Sequence, residues 1–274
     1  MKTLLYTHHI DDSLETAAAF IKLALDDGLH MNVVVTGTLP SVVAYGPPGV
    51  AGFNYDGLNQ GIIENVKDRV TEIANMVSQK DVSATISMEC RESATIGPAI
   101  QTHALLADMS VFPHGSAMDG ASKVEAFNGA LLGSGQPVLT LGKDEIAFPE
   151  FKKILFAWNG QIESAKALHH AVRWSADKAE IHIIIVDPHE SAMGSNPGDD
   201  VAGFMARNGL SAVVDRAPLG DRRISEILIE HANDIGADSV FMGAYGRNRF
   251  REWLLGGTTR EMLQSCKLPV VMTN

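Results

Sequence analysis

Three short sequences recur in the same order in both halves of the chain, and this internal repeat constrains the fold more than any other feature. The matched pairs are 2–7 with 152–157, 107–112 with 236–241, and 136–140 with 268–272. Three matches in one order indicate duplication, and 274 residues are enough for two domains that each bury a core. The repeat predicts one domain over residues 1–145 and a second over residues 146–274, joined through 141–149.

The second half alternates between strand and helix patterns. Apolar or β-branched runs predict strands over four segments, which are 153–157, 181–186, 239–242 and 269–272. Helical spacing predicts helices over three segments, which are 164–176, 223–235 and 259–265. This alternation predicts an α/β protein made of two tandem open parallel sheets, each with helices on both faces. Ligands of such sheets bind at the carboxyl ends of the strands, where the winding reverses.

Composition and charge exclude several classes of protein. The formal charge of −11 argues against broad binding to nucleic acid or to an anionic membrane surface. Eight basic and 17 acidic residues give residues 1–145 a net −9, which leaves −2 for the second half. Residues 31–55 carry no charge, but their prolines and glycines exclude a helix that crosses a bilayer. Two cysteines do not form a disulfide framework, so we expect a cytoplasmic protein.

A glycine-rich loop follows the predicted strand 239–242. Gly243 and Gly246 precede a stretch of nine residues, and then come Gly256, Gly257 and Thr258. Adjacent glycines form a nest of backbone N–H groups, and a helix N-terminus beyond it favours phosphate. Thr258 and Glu261 have the spacing of a capping box, and Arg247, Arg249, Arg251 and Arg260 surround the loop with positive charge. A second interpretation stays open, in which the glycines only end a strand and a helix and the arginines pair with surface carboxylates.

The segment Met242-Gly243-x-x-Gly246, followed by nine residues and Gly256, resembles the glycine signature of the universal stress protein family. Residues 154–160 resemble the first strand and turn of that family. The whole chain therefore resembles its tandem two-domain form, with an adenine-nucleotide alpha hydrolase-like fold. The resemblance implies that the second domain binds ATP or another adenine nucleotide, with Mg²⁺ as an optional companion ion. The implied nucleotide-binding residues are Asn159, Gly160, Ile185, Met242, Gly243, Gly246, Arg247, Gly256, Gly257 and Thr258.

Two positions depart from the family signature. Asn159 stands where the family has an acidic residue, and Gly257 stands where it has serine or threonine. Backbone N–H groups could still hold phosphate without that hydroxyl.

The corresponding loop of the first half, 112–120, lacks the glycine spacing, and only Lys123 adds positive charge nearby. We therefore expect a degenerate first domain that does not bind ATP in the manner of the family. His8, His9 and His114 lie near its predicted crevice and could hold a metal or another small ligand. The alternative is that they are ordinary polar turn residues, and we assign no metal site and no catalytic residue.

The sequence predicts a stress-response regulatory protein that binds an adenine nucleotide and hydrolyses it slowly or not at all, because it offers positioning groups but no evident water-activating base. The alternative is a nucleotide-independent interaction module with two degenerate sites. In that case a homo-oligomer such as a dimer, a pair of domains within one chain, or unidentified proteins would be the partners. An enzyme of the adenylating or electron-transfer type is a third hypothesis, but neither first-strand turn has the pyrophosphate-binding loop that it needs.

Overall fold

The computed structural model describes residues 1–40, 55–143, 146–187, 198–245 and 257–274. They form two compact units. Met1–Phe112 and Ser116–Gln136 make the first, and Pro113–Gly115 and Pro137–Asn274 make the second.

The first unit is a parallel sheet with helices between its strands. Its strands are β1 (Thr3–His9), β2 (His30–Leu39), β3 (Ala84–Glu92) and β4 (Met109–Phe112), in the spatial order β3-β2-β1-β4. Its helices are α1 (Leu14–Asp26), α2 (Tyr55–Ser78), α3 (Ser93–Ala104) and α4 (Ala121–Gly133). Helix α1 begins after Ser13, whose hydroxyl accepts the N–H of Thr16 at 3.3 Å, and it buries Phe20 and Ile21 on one face.

The second unit repeats this plan and adds strands. Its strands are β5 (Val138–Thr140), β6 (Lys153–Ala157), β7 (Glu180–Val186), β8 (Ser211–Ala217), β9 (Ser239–Gly243) and β10 (Val270–Thr273), in the order β5-β10-β9-β6-β7-β8. Its helices in the described residues are α5 (Ile162–Trp174), α6 (Asp199–Arg207), α7 (Ile224–Asp234) and α8 (Gly257–Ser265). All pairs are parallel except β5 with β10. The central strands are apolar runs with buried side chains, as expected of a sheet covered on both faces.

The predicted fold class is confirmed, and each predicted strand and helix of the second half exists with ends shifted by a few residues at most. Helix α6 and strand β8 were not predicted from the sequence. Strand β8 alternates between exposed and partly buried residues, so it lacks the apolar run that marked the other strands.

The register of the sheets corrects one of the sequence matches by one residue. Asp108 accepts the backbone N–H of Thr3 at 2.7 Å, and Asp238 accepts that of Lys153 at 2.9 Å. These aspartates therefore occupy the same place in the two copies, whereas the match of 107–112 with 236–241 pairs Asp108 with Ala237.

Strand β5 packs within the second compact unit, because it pairs with β10 in antiparallel fashion. The boundary that we propose for the duplicated sequences, 1–145 and 146–274, lies after this strand, whereas the compact units divide before it. In the described part of the chain, every helix is too short or too polar to cross a bilayer.

Candidate functional site

The winding of the second domain reverses at β6. This strand lies between β7, which follows it in sequence, and β9, so the chain proceeds to one side and later returns to the other. A crevice outside the carboxyl ends of β6 and β9 is the usual ligand site of such sheets. Asn159 and Gly160 follow β6, and Gly243 ends β9, so these three predicted site residues border the reversal point.

The turn after β6 is shaped by its own hydrogen bonds. Gly160 has φ +72°, a left-handed conformation that side chains disfavour. The side-chain oxygen of Asn159 accepts the N–H of Gln161 at 3.0 Å, and its Nδ2 donates to Oε1 of Glu163 at 3.3 Å. Ser164 completes the start of α5, since its hydroxyl accepts the N–H of Gln161 at 3.2 Å. Both ends of the Asn159 amide are thus engaged within the turn.

Gly243 is a close-packing position. A Cβ at this residue would lie 2.5 Å from Cγ of Glu163 and 2.7 Å from the backbone nitrogen of Ser164. The first turn of α5 therefore rests directly on the end of β9, and only glycine permits this approach. Met242, the preceding residue, is buried with 4% exposure. The glycine of the motif consequently has a structural role that its spacing did not reveal.

Ile185 lies on β7 and is fully buried. Its Cδ1 would be 2.8 Å from a Cβ at Gly198, the residue before α6. The side chain thus packs beneath the start of α6, and its contact with an adenine ring stays a prediction.

Helix α8 begins at Gly257, so Thr258 lies inside its first turn and is not the capping residue. Glu261 accepts hydrogen bonds from the hydroxyl of Ser225 and from Nη1 of Arg223, at 3.2 Å for the latter. The predicted capping box of Thr258 and Glu261 is therefore wrong, because Glu261 ties α8 to α7. A Cβ at Gly257 would meet nothing within 4 Å, and the residue is exposed.

The remaining residues of the predicted loop, Gly246, Arg247 and Gly256, lie outside the described residues, as do Arg249 and Arg251.

The same edge of the first domain is occupied by its own charged and polar side chains. His8 is fully buried at the end of β1, where its Nδ1 contacts the Tyr6 hydroxyl at 2.9 Å. Nη1 of Arg69 donates to Nε2 of His8 at 2.8 Å, so the ring proton of neutral His8 resides on Nδ1. Burial lowers the pKa of His8 to about 4, and the positive charges of Arg69, His9 and Lys123 add to this against the opposing effect of Asp12.

Asp12 connects this network to α4. Its Oδ2 accepts the N–H of His9 at 2.9 Å, and its Oδ1 accepts Nζ of Lys123 at 2.7 Å. Lys123 also donates to Asp119 at 2.8 Å, so the ammonium predicted to supply positive charge is already paired twice. Arg69 was not predicted from the sequence, because it lies on α2 and is 61 residues away from His8 in the chain.

His9 makes different contacts from His8. Its Nδ1 accepts the N–H of Asp11 at 3.3 Å, and its Nε2 contacts the hydroxyl of Thr38 at 3.1 Å. Burial lowers the pKa of His9, against the raising effect of Asp11 and Asp12. His114 belongs to the second compact unit, so a site shared by the three histidines stays a prediction.

Residues 150–274 match the sequence model of the universal stress protein family. No curated protein sequence matches the chain significantly.

Solved structures agree over the full length of the chain. A universal stress protein from Archaeoglobus fulgidus DSM 4304 is 16% identical, with a TM-score of 0.68 and 98% of each chain covered. A putative universal stress protein from Pseudomonas aeruginosa UCBPP-PA14 is 14% identical, with a TM-score of 0.53 over 100% of this chain and 93% of the other. At these identities the agreement shows a shared fold.

Proposed function

Because residues 150–274 form a domain of the universal stress protein family, we propose that this domain binds an adenine nucleotide, ATP or a close relative, and acts as a regulatory protein in the stress response. The observation that carries this proposal is the contact between Gly243 and the start of α5. It brings the end of β9 and the turn after β6 together at the reversal point of the sheet. Helices α5 and α8 each follow a strand of this parallel array, so their N-termini, which favour anions, start from this edge.

Within this proposal each group has a separate task. Asn159 and Gly160 border the nucleoside, and Ile185 lies beneath the adenine pocket. Met242, Gly243 and Gly246 shape the wall near the ribose and inner phosphates. The outer phosphates, with or without Mg²⁺, contact Arg247 and the backbone N–H groups of Gly256, Gly257 and Thr258.

We propose that hydrolysis is slow or absent. Glu163, the acidic side chain at the turn after β6, is buried with 8% exposure and accepts a hydrogen bond from Asn159. A carboxylate held in this way is poorly placed to activate water. Binding and release would then set the state of the protein.

A nucleotide-independent interaction module is the second candidate function. The observation that favours it is the engagement of both ends of the Asn159 amide by Glu163 and Gln161. Because the polar groups of this turn already form hydrogen bonds with each other, the turn is stable without a ligand. Under this candidate the partners are a second copy of the chain, the other domain, or unidentified proteins.

The test combines two measurements. Mass spectrometry of the denatured protein, as purified, reports any adenine nucleotide carried through purification, and calorimetry measures binding of added ATP. The variant is Gly257→Asp, because the site has room for a side chain and aspartate suits the first turn of a helix. Its carboxylate would repel phosphate, and we expect at least tenfold weaker binding. Gly61→Asp is the matched control, since it adds the same charge to an open helical position of the first domain.

ATP binding by the wild type and by Gly61→Asp, with loss in Gly257→Asp, supports the proposal. Absence of both copurified nucleotide and binding heat overturns it in favour of the interaction module. Equal affinity of all three proteins overturns the assignment of phosphate to the start of α8. Gly243→Val is unsuitable for this test, because it would disturb the packing of α5.

A further inference from the structure

A second polar cluster lies in the second domain, on strands β7 and β8 and helix α7. Nδ1 of His182 is 3.1 Å from Oδ2 of Asp215, and Nε2 of His231 is 3.0 Å from the same oxygen. One atom from each of the three residues lies within 4.8 Å of the others. The cluster is accessible to solvent, since the side chains of His182, Asp215 and His231 are 12%, 30% and 26% exposed.

Glu180 holds the ring of His182 in position. Its Oε1 is 2.6 Å from Nε2 of His182, and Nζ of Lys153 lies 3.4 Å from the same carboxylate oxygen. When a carboxylate accepts the N–H of one ring nitrogen, the other nitrogen keeps a lone pair that can bind a metal ion. Most histidines that bind metals in proteins are held in this way. Here that other nitrogen faces Asp215.

A carboxylate oxygen lies within hydrogen-bond distance of each ring nitrogen of His182. With a single ring proton directed at Glu180, Nδ1 of His182 and Oδ2 of Asp215 present lone pairs to each other. A cation between them would turn this repulsion into two favourable contacts. His231 approaches the same oxygen and supplies a third donor.

The spacing of the donors also suits a metal ion. Zinc bonds of about 2.0–2.1 Å to nitrogen and oxygen place tetrahedral ligands about 3.3 Å apart. The two N···O distances of 3.1 and 3.0 Å are close to this value, and the three donor atoms all lie within 4.8 Å of one another. Two imidazoles with one carboxylate favour a first-row transition metal over Mg²⁺ or Ca²⁺, which prefer oxygen ligands alone.

We propose that His182, Asp215 and His231 form a binding site for a divalent transition-metal ion such as Zn²⁺, with Glu180 as the positioning residue for His182. Three protein ligands leave a coordination position for water, so the ion is exchangeable. The site links two strands to a helix, and its occupation stabilises the second domain.

The equivalent described positions of the first domain carry other residues. The strand registers place Asn32 at the position of His182 and Ser87 at that of Asp215. Gln101 of α3 takes the place of His231 of α7. The backbone carbonyl of each accepts the N–H of the residue that caps the end of its helix. None of these three side chains is a strong ligand for Zn²⁺.

The test titrates Zn²⁺ alone into the full chain, after treatment with a chelator, in competition with a chromophoric chelator. The variants Asp215→Asn and His231→Gln each remove one ligand and keep most of the side-chain shape. His169→Gln is the matched control, because His169 is an exposed histidine of the same domain that packs against Phe204. Tryptophan fluorescence gives a second readout, since Trp158, Trp174 and Trp253 all lie in the second half.

We expect the wild type and His169→Gln to bind one Zn²⁺ per chain and to gain thermal stability from it. Each ligand variant should bind at least tenfold more weakly and lose the thermal shift. Co²⁺ should give a visible absorption band with the wild type and with His169→Gln, but not with Asp215→Asn or His231→Gln. Absence of Zn²⁺ binding by the wild type overturns the proposal, whatever the variants do. Equal binding by the wild type and either folded ligand variant also overturns it, and circular dichroism establishes which variants are folded.

Discussion

The two domains share a strand order at the reversal point but differ in what borders it. In the first domain, Lys123 pairs with the Asp12 carboxylate, and Arg69 donates to the backbone carbonyl of Asp12 and to His8, so these side chains are engaged within the domain. In the second, Gly243 brings backbone elements together and Gly257 exposes the start of a helix. The scaffold is thus retained in both copies, whereas the polar groups at the edge changed. A duplicated sheet can thus keep its fold while the polar groups at its edge differ between the two copies.

The largest expected effect is on the free energy of unfolding, when the close contact at Gly243 of the second domain is broken. Gly243→Val would force Cβ to within 2.5–2.7 Å of Glu163 and Ser164, one of them through a backbone atom that cannot move aside. Overpacking against backbone should cost about 3 kcal/mol of the free energy of unfolding. Urea unfolding followed by tryptophan fluorescence measures this in the second domain.

Gly257→Val is the control for that prediction, because a Cβ there meets no neighbour. It should change the free energy of unfolding by less than about 1 kcal/mol. A small effect at Gly243 would contradict the close packing of α5 on β9.

The next effect concerns the buried histidine of the first domain. The pKa of His8 is about 4, below the ordinary 6.5, so the folded state binds fewer protons than the unfolded state between these values. The contribution of neutral His8 to the free energy of unfolding is therefore complete above pH 6.5 and falls as the pH is lowered towards 4. Between pH 7 and pH 5 the loss should be about 2 kcal/mol.

Unfolding of wild type and of His8→Gln at both pH values, followed by far-UV circular dichroism, separates this group from others that titrate. Glutamine cannot take up the proton, so the variant should lose less stability on acidification. His30→Gln serves as a control, since His30 is partly exposed in the same domain and contacts Ser83 and Thr85. The same acid dependence in wild type and His8→Gln would contradict the burial of a neutral His8.

A smaller effect is expected from the ion network that fills the edge of the first domain. Lys123→Met removes the cation from Asp12, and both side chains of this pair are only 19% exposed. A partly buried carboxylate without its partner should cost about 1–2 kcal/mol, less than the cost for full burial.

Lys22→Met is the comparison, because Lys22 and Asp26 form an exposed pair on α1. Surface pairs contribute about 0.5 kcal/mol or less. Equal denaturation midpoints for the two variants would show that Lys123 is solvated and that the first domain has no such network.

The sequence predicted the parts of the fold that depend on local pattern. Apolar runs such as 153–157 and 239–242 identified the central strands, because strands buried on both faces must be apolar. Strand β8 was missed, since it lies at the edge of the sheet and alternates weakly, and Asp215 was missed with it. The contacts of Arg69 with His8 and of Glu261 with Ser225 join residues far apart in sequence, so spacing alone gave no signal for either.

The smallest expected effect is on the affinity of the second domain for ATP, when a hydroxyl is added at position 257. Gly257→Ser returns the hydroxyl of the family signature to the first turn of α8, where the backbone leaves room for it. One additional hydrogen bond from a solvent-exposed hydroxyl to a phosphate contributes about 1 kcal/mol, which corresponds to roughly fivefold tighter binding of ATP in calorimetry. Gly257→Ala separates the hydroxyl from the general gain in helix stability, because it adds the Cβ alone. Equal affinities for serine and alanine would place the phosphates away from residue 257, and the distinction between the two domains would then rest on Gly243 and its packing.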